Sequence, residues 1–325
     1  MRFVKRIAPL AAVAALCVTA PGCGGQALRW DRGPDSVALR NGDRLVWEFR
    51  HGRDLQAPMF HPVGLTDGTA LTWDSPPDHT WHHALWFAWK YLNGVNYWET
   101  ARDNQESYGV VEWNDVAVRT GRDFNAEVSL RLDYRPRGED PVLTERREIR
   151  VSRPAADGSY HMDWTMTFTA RTDVTIDRTP IIGEENGKAW GGYAGLSIRF
   201  AEALRDWQAV SSEGPVTWNT GQPFHAVKGP AGLDFSGMID GRAAGIALLD
   251  HPENLNAPTP WYLVMNREKS FGFAQAAVVY YQPVRLAAGQ AFQLRYRVVV
   301  HEGRWDAGRL QSAQSEFIKE VNSES

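Results

Sequence analysis

The most regular feature of the chain is alternation of polar and apolar residues with period two. It runs through Asp43–Arg50, Asn125–Tyr134, Tyr160–Phe168 and Phe292–Val300. Successive side chains of a strand point to opposite faces, so this pattern predicts strands with one face on a core and one in water. The dipeptides Asn41-Gly42, Asp67-Gly68, Asp157-Gly158 and Asp240-Gly241 supply the turn chemistry between such runs. Helical periodicity is confined to the tail, from about Ala307 to Val321. Many strands, short connections and a single terminal helix predict an all-β chain: a large antiparallel β-sandwich with a short C-terminal helix.

The first residues follow another logic. Arg2, Lys5 and Arg6 precede an apolar run from Ile7 to Thr19, and small residues then lead to Cys23. This is the order of a secretory leader, and Ala20-Pro21-Gly22-Cys23 reads as a lipobox in which Cys23 becomes the lipidated N-terminus. Ordinary cleavage nearby is the alternative. The expectation is a lipoprotein signal peptide over residues 1–23 and one β-sandwich domain over 26–325. The protein would be exported and held at a membrane by its lipid, in the periplasm or at the outer-membrane face. The only cysteines are Cys17 and Cys23, both in the leader, so the mature chain holds no disulfide and no thiolate-bound metal. A formal charge of −4 argues against a nucleic-acid partner.

Fourteen tryptophans are many for 325 residues. Some must be core, but the flat indole face is also a platform for sugar rings. The strand pattern breaks over residues 58–99, where Asp78, His79, His82 and His83 fall within six positions among Trp81, Trp86, Trp89 and Trp98. Core packing does not call for three histidines and a carboxylate together. Histidine exchanges protons near neutral pH and ligates metals. His79 and His83 share a side whether the stretch is helical or extended, which makes them candidate catalytic groups, with Asp78 orienting an imidazole. A second candidate segment is the glycine-rich Ile181–Tyr193, with Glu185, Asn186 and Lys188. A third places Asp250-His251 directly after an apolar strand and before Trp261. For both, an ordinary structured turn is the competing reading.

The strings Phe60-His61-Pro62-Val63, Asp78–His83, Leu85–Trp89 and Asn93–Trp98 resemble a bacterial family of unknown function that has carried the label "methane oxygenase PmoA". So do Trp190–Arg199, Leu249–Asn254 and the ending Leu286–His301. A membrane-integral oxygenase subunit is not implied here, because no later apolar run is long enough to span a bilayer. The family is linked to polysaccharide and glycoside use. The ending is also similar to the last strands of galactose-mutarotase-like supersandwich domains, which implies that architecture. Mutarotases place a Glu base on a strand just before this ending. The comparable stretch here, Phe271–Ala276, has no carboxylate.

Together these features predict an exported carbohydrate-active enzyme acting on a glycoside or an oxidised sugar, by hydrolysis, elimination or epimerisation. Asp78, His79, His83, Glu185, Asp250 and His251 are its candidate catalytic groups. His61, Trp81, His82, Trp89, Asn93, Asn186, Lys188 and Trp261 are its candidate substrate contacts. Two alternatives stay open: a surface glycan-binding protein without catalysis, and a metalloenzyme using His79, His83 and a carboxylate on a divalent ion. No cofactor is required by any motif, and nothing sets an oligomeric state.

Overall fold

The structure, a computed structural model, describes residues 28–99, 108–217, 224–266 and 268–324. The leader and Cys23 lie outside the described residues. The strands in chain order are β1 (Leu28–Arg32), β2 (Ser36–Asn41), β3 (Arg44–Arg50), β4 (Met59–Val63), β5 (Leu85–Ala88), β6 (Tyr91–Leu92), β7 (Val95–Asn96), β8 (Val110–Thr120), β9 (Ala126–Arg135), β10 (Leu143–Val151) and β11 (Tyr160–Ala170). They continue with β12 (Val174–Asp177), β13 (Gly195–Arg199), β14 (Arg205–Ser211), β15 (Gly214–Pro215), β16 (Phe224–Val227), β17 (Gly232–Ile239), β18 (Arg242–Asp250), β19 (Trp261–Asn266), β20 (Phe271–Ala276), β21 (Val284–Leu286) and β22 (Ala291–Glu302). The helix α1 (Ala307–Glu324) closes the chain.

Two nine-stranded sheets carry the fold. The first runs β1-β2-β3-β4-β5-β13-β20-β19-β16 and the second β15-β14-β17-β18-β22-β11-β10-β9-β8, while β21-β12-β6-β7 form a smaller sheet. Neighbouring strands pair antiparallel throughout, for example β10 with β11 and β11 with β22. This is the antiparallel sandwich with a C-terminal helix that the alternation predicts.

β11 shows why. Its even-numbered residues, among them Met162, Trp164, Met166 and Phe168, are buried, and the residues between them are half-exposed. The inward faces of the two sheets interdigitate in one large apolar cluster, where Phe60, Phe87 and Leu263 of the first sheet share the interior with Trp164, Phe168 and Leu248 of the second. Burying a large side chain of this kind stabilises by about 1.5–3 kcal/mol. The helix packs on the outer face of the second sheet, with Leu310, Ala313 and Phe317 against Ala247, Leu249 and Val299.

The first sheet is unusual on its other side. On β5, β19 and β20 the inward residues are Leu85, Phe87, Trp261, Leu263 and Ala274, yet the outward ones are also large and apolar: Trp86, Tyr262, Val264, Phe271 and Phe273. These outward rings form a second cluster rather than a wet surface. A sheet buried on both faces reads as a continuous apolar run, and β19 and β20 do so.

Candidate functional site

The register of the first sheet sets the outward rings in rows. Trp86 lies opposite Ser197, Ser197 opposite Gln275, and Gln275 opposite Tyr262. In the next row Arg199 and Val264 flank Phe273. Above these rows the segments around 78–82, 98–99 and 190–193 enclose an open cavity of about 490 Å³, within the size range of small-molecule sites. Phe271, Phe273, Tyr262 and Val264 form its floor, and Trp81, Trp98, Trp190 and Tyr193 its walls. Asp78, His79, His82 and Glu99 are the acidic and imidazole groups that line it.

The turn that carries the histidines explains their arrangement. His79 N–H donates to the Pro76 carbonyl and His82 N–H to the His79 carbonyl, each at 2.9 Å. Two consecutive turns of this kind repeat every three residues, a period of neither α-helix nor strand. His79 and His82 therefore come together, their ring centroids 4.7 Å apart. The expected pairing of His79 with His83 is corrected here. His83 enters a bridge with Asp74 and turns away from the cavity. Its Nδ1 lies 3.2 Å from Asp74 Oδ1 and its Nε2 3.1 Å from Gln56 Oε1. With both nitrogens engaged, His83 is a tie between loops, and it cannot share a metal with His79.

His79 Nδ1 sits 3.0 Å from Asp78 Oδ2. Behind Asp78, the buried Arg199 directs Nη2 to both carboxylate oxygens, at 3.0 and 3.1 Å. The guanidinium lies 3.8 Å from the Phe271 ring centroid, so the cation is held flat against the cavity floor. Burial alone would raise the Asp78 carboxyl, but the Arg199 charge and the bond to His79 outweigh it and hold it below the usual carboxylate range. Asp78 is thus an anion clamped from behind that orients the imidazole in front of it.

His82 is different in kind. It is 5% exposed, and its ring packs among Phe273, Trp86 and His79. Burial, reinforced by the charges of His79, Arg199 and His83, pushes its imidazole well below the ordinary 6.5, so the ring is neutral. Its Nδ1 is buried with no hydrogen-bond partner among the described residues. A neutral imidazole offers one donor and one acceptor, the complement of a hydroxyl group.

Glu99 forms the opposite kind of wall. Lys90 pairs with its carboxylate, Asn96 Nδ2 donates to it at 2.7 Å, and the Tyr193 hydroxyl donates at 2.9 Å. Burial pushes the carboxyl up, but the Lys90 charge and these three donors bring it below its ordinary value. It is a fixed anion rather than a proton carrier at neutral pH.

The remaining candidates lie elsewhere. Trp89 and Trp261 are wholly buried, Trp89 against Phe87 and Phe168 and Trp261 with Nε1 donating to the Pro230 carbonyl, so neither has a face for a sugar. Asn93 and Gly94 both have positive φ and form the tip of the β6–β7 hairpin. Asn93 ties that tip to Asp173 and Thr175. His61, on β4, faces Thr72 outside the cavity. Glu185, Asn186 and Lys188 are exposed on the 180–193 loop and do not line it; that loop contributes Trp190 and Tyr193 instead. Asp250 is buried under α1, accepting from Asn254 Nδ2, Thr259 N and Thr259 Oγ1 at 2.6–2.9 Å, and His251 packs its ring edge against Phe317 of the helix. The Asp250-His251 pair fastens the helix.

For a metal, the one group of three His and carboxylate ligand atoms among the described residues is His161, Asp163 and Glu320. Arg297 already donates to Asp163 at 2.6 and 2.7 Å and to Glu320 at 2.6 Å. A guanidinium neutralising both carboxylates leaves an ion pair between sheet and helix, a poor fit to a cation.

The sequence matches the family described as "Family of unknown function (DUF6807)" over residues 36–314. The chain belongs to this family. A comparison with curated protein sequences found no match. Among solved structures the chain is similar to the GH36 α-galactosidase AgaB from Geobacillus stearothermophilus, with 10% identity, a TM-score of 0.48 and coverage of 86% of this chain and 41% of that one. It is also similar to a galactose mutarotase related enzyme from Lactobacillus acidophilus (8% identity, TM-score 0.40, 86% of this chain and 100% of that one). A third is the α-galactosidase from Lactobacillus brevis (8% identity, TM-score 0.44, 85% and 39%). This chain thus spans about two fifths of the length of the two galactosidases. At such identities and scores the chemistry has to be argued from the site itself.

Proposed function

We propose that this DUF6807 protein is a carbohydrate-active enzyme whose substrate occupies the aromatic cavity and whose proton transfers run through His79. The observation that carries the reading is the Arg199–Asp78–His79 series at the wall of a cavity floored by aromatic rings. Aromatic faces suit the C–H faces of sugar rings. The Asp78 carboxylate, 3.0 Å from Nδ1, favours a proton on that nitrogen, which leaves Nε2 to exchange one with substrate. His82, neutral, lines the same cavity as an uncharged ring beside His79. Glu99, balanced by Lys90, holds Tyr193 in the wall by accepting from its hydroxyl. Hydrolysis, elimination and epimerisation of sugars all need a positioned acid–base group of this type. In keeping with its leader, the protein is proposed to be exported and lipidated at Cys23.

The test is turnover by the purified protein of a panel of soluble polysaccharides and 4-nitrophenyl glycosides, followed by chromatography of the products. Wild type converts at least one member, and His79→Gln loses about 10²–10⁴-fold of that rate with an unchanged melting temperature. Equal turnover by His79→Gln refutes the assignment. The predominance of rings over acid–base groups in the lining also favours a second reading, a glycan-binding protein without catalysis. That reading gains if wild type and His79→Gln bind one polysaccharide alike and neither converts it.

A further inference from the structure

We infer that the sugar site continues out of the cavity onto an exposed aromatic platform, so that the substrate is a glycan chain several residues long and not a free monosaccharide. This inference rests on the carbohydrate reading above. Among the described residues three large hydrophobic side chains are exposed: Ile182 at 62%, Trp190 at 44% and Tyr281 at 42%. Trp190 belongs to the cavity lining itself, Ile182 lies on the same loop, and Tyr281 is joined to the floor residue Tyr262 through Tyr280, on which it packs at 4.9 Å.

The rings form an unbroken series from inside to outside. Trp98 meets Tyr193 at 5.0 Å, Tyr193 meets Tyr262 at 6.3 Å, and Tyr262 meets Tyr280 at 6.3 Å. Trp190 branches from Tyr193 at 6.3 Å. A ligand leaving the cavity therefore passes from one aromatic face to the next.

The platform is also stiff. Arg178, 5% exposed, donates from Nε to the Tyr280 carbonyl at 3.0 Å and pairs through Nη2 with Glu184, so one buried cation joins both sides of the rim. Glu184 in turn accepts from Ile181 N at 2.9 Å. The Tyr262 hydroxyl donates to the Trp190 carbonyl at 3.1 Å. Gly192 has a φ of +98°, and a Cβ there would stand 2.3 Å from the Tyr280 ring. Only glycine lets this loop press against the tyrosine. Lys228 lies over one face of Tyr281, its Nζ 4.9 Å from the ring centroid. Exposed rings held this firmly lose little freedom when a ligand stacks on them.

The occupant follows from size and continuity. Three partly covered side chains present roughly 250 Å² if a whole aromatic side chain contributes about 150–250 Å². A folded protein partner needs about 800 Å² per side, and it could not follow the rings into the cavity. A flexible chain of sugar rings can do both.

The experiment is affinity electrophoresis of the purified protein in native gels containing arabinoxylan, mixed-linkage β-glucan, xyloglucan, galactomannan or polygalacturonate. Wild type is retarded by at least one polymer. Trp190→Ala and Tyr281→Ala each weaken that retardation about 3–10-fold, the equivalent of one lost aromatic contact. Trp190→Phe and Tyr281→Phe keep the ring and restore it, which separates stacking from any change in folding. Wild type that converts 4-nitrophenyl glycosides yet migrates freely in all five polymers overturns the extended surface and leaves the cavity reading intact. Retardation sensitive to Trp190→Ala alone confines binding to the cavity and overturns the extension as well. Absence of both retardation and conversion defeats the carbohydrate reading itself.

Discussion

Replacing Lys90 with methionine removes the cation that balances Glu99 in the cavity wall. Both side chains are nearly inaccessible, at 4% and 10% exposure. Breaking a buried pair by deleting one partner costs about 3–5 kcal/mol, because the other charge stays behind uncompensated. Here the stranded carboxylate keeps Asn96 and Tyr193 as donors, which places the cost at the lower end, about 3 kcal/mol. With a urea slope of about 3 kcal/mol per molar for a chain of this size, the unfolding midpoint falls by roughly 1 M. Adding Glu99→Gln removes the stranded charge; its amide oxygen still accepts from Asn96 Nδ2, and its N–H donates to the Tyr193 hydroxyl, which can turn to accept. The double variant is therefore more stable than Lys90→Met alone, recovering about 2 kcal/mol. The pH dependence tests the same logic. The lowered Glu99 carboxyl gives wild type a contribution that is fully present above its ordinary 4.5 and lost as pH falls through the lower folded value. Lys90→Met weakens that acid-side loss. Urea titrations of wild type and both variants at pH 7 and pH 4 measure these effects. A Lys90→Met cost below about 1 kcal/mol, the range of exposed pairs, or a double variant no better than the single, would refute the argument.

His83→Gln is expected to behave opposite to His79→Gln. It breaks the contacts to Asp74 and Gln56 and costs about 1–3 kcal/mol in thermal or urea stability, with no comparable loss of rate in the surviving folded protein. A stable His83→Gln that is inactive contradicts the placement of His83 outside the chemistry. Because His82 is held neutral, the unfolded chain takes up a proton below about pH 6.5 that the folded chain refuses, so stability is full above that pH and falls as pH drops, by up to about 1.4 kcal/mol per unit. His82→Phe flattens this slope, and identical slopes between pH 7 and 5 count against it. Cys23→Ser should move the protein from the membrane to the soluble fraction of cells. A wild-type protein that already fractionates as soluble, with another N-terminus, removes the lipid anchor from the proposal.

The two-sheet architecture was legible because its long strands alternate strictly, as β9 and β11 do over ten and eleven residues. The helix was legible from its isolated period. The site was legible only in part. Asp78, His79, Trp81 and His82 stood out as a dense cluster in a stretch that broke the strand pattern. The partner within that cluster was misassigned, because two linked turns have a period of three that neither regular template contains. Tyr262, Phe271, Phe273 and Arg199 come from strands distant in sequence and could be brought to the cavity only by pairing. Their one trace in the sequence is the near-continuous apolar run of β19 and β20, together with an arginine at the end of the buried strand β13. Asp250 and His251 had the look of a cleft pair, but the helix that covers them arrives some sixty residues later.

The position of β22 has a consequence for how the molecule comes into being. It is the last strand in the chain, yet it lies in the middle of its sheet, between β18 and β11. Until residues 291–302 are in place, β18 and β11 each expose an unpaired edge, and the sheet stands as two separate halves. Synthesis from the N-terminus therefore leaves almost the whole polypeptide waiting on its final segment before the sandwich can close. During that interval the chain holds an unclosed second sheet. It also carries two naked edges of the kind that recruit a neighbouring chain, so a ribosome stalled or a message cut short of β22 releases a sticky fragment rather than a smaller sandwich.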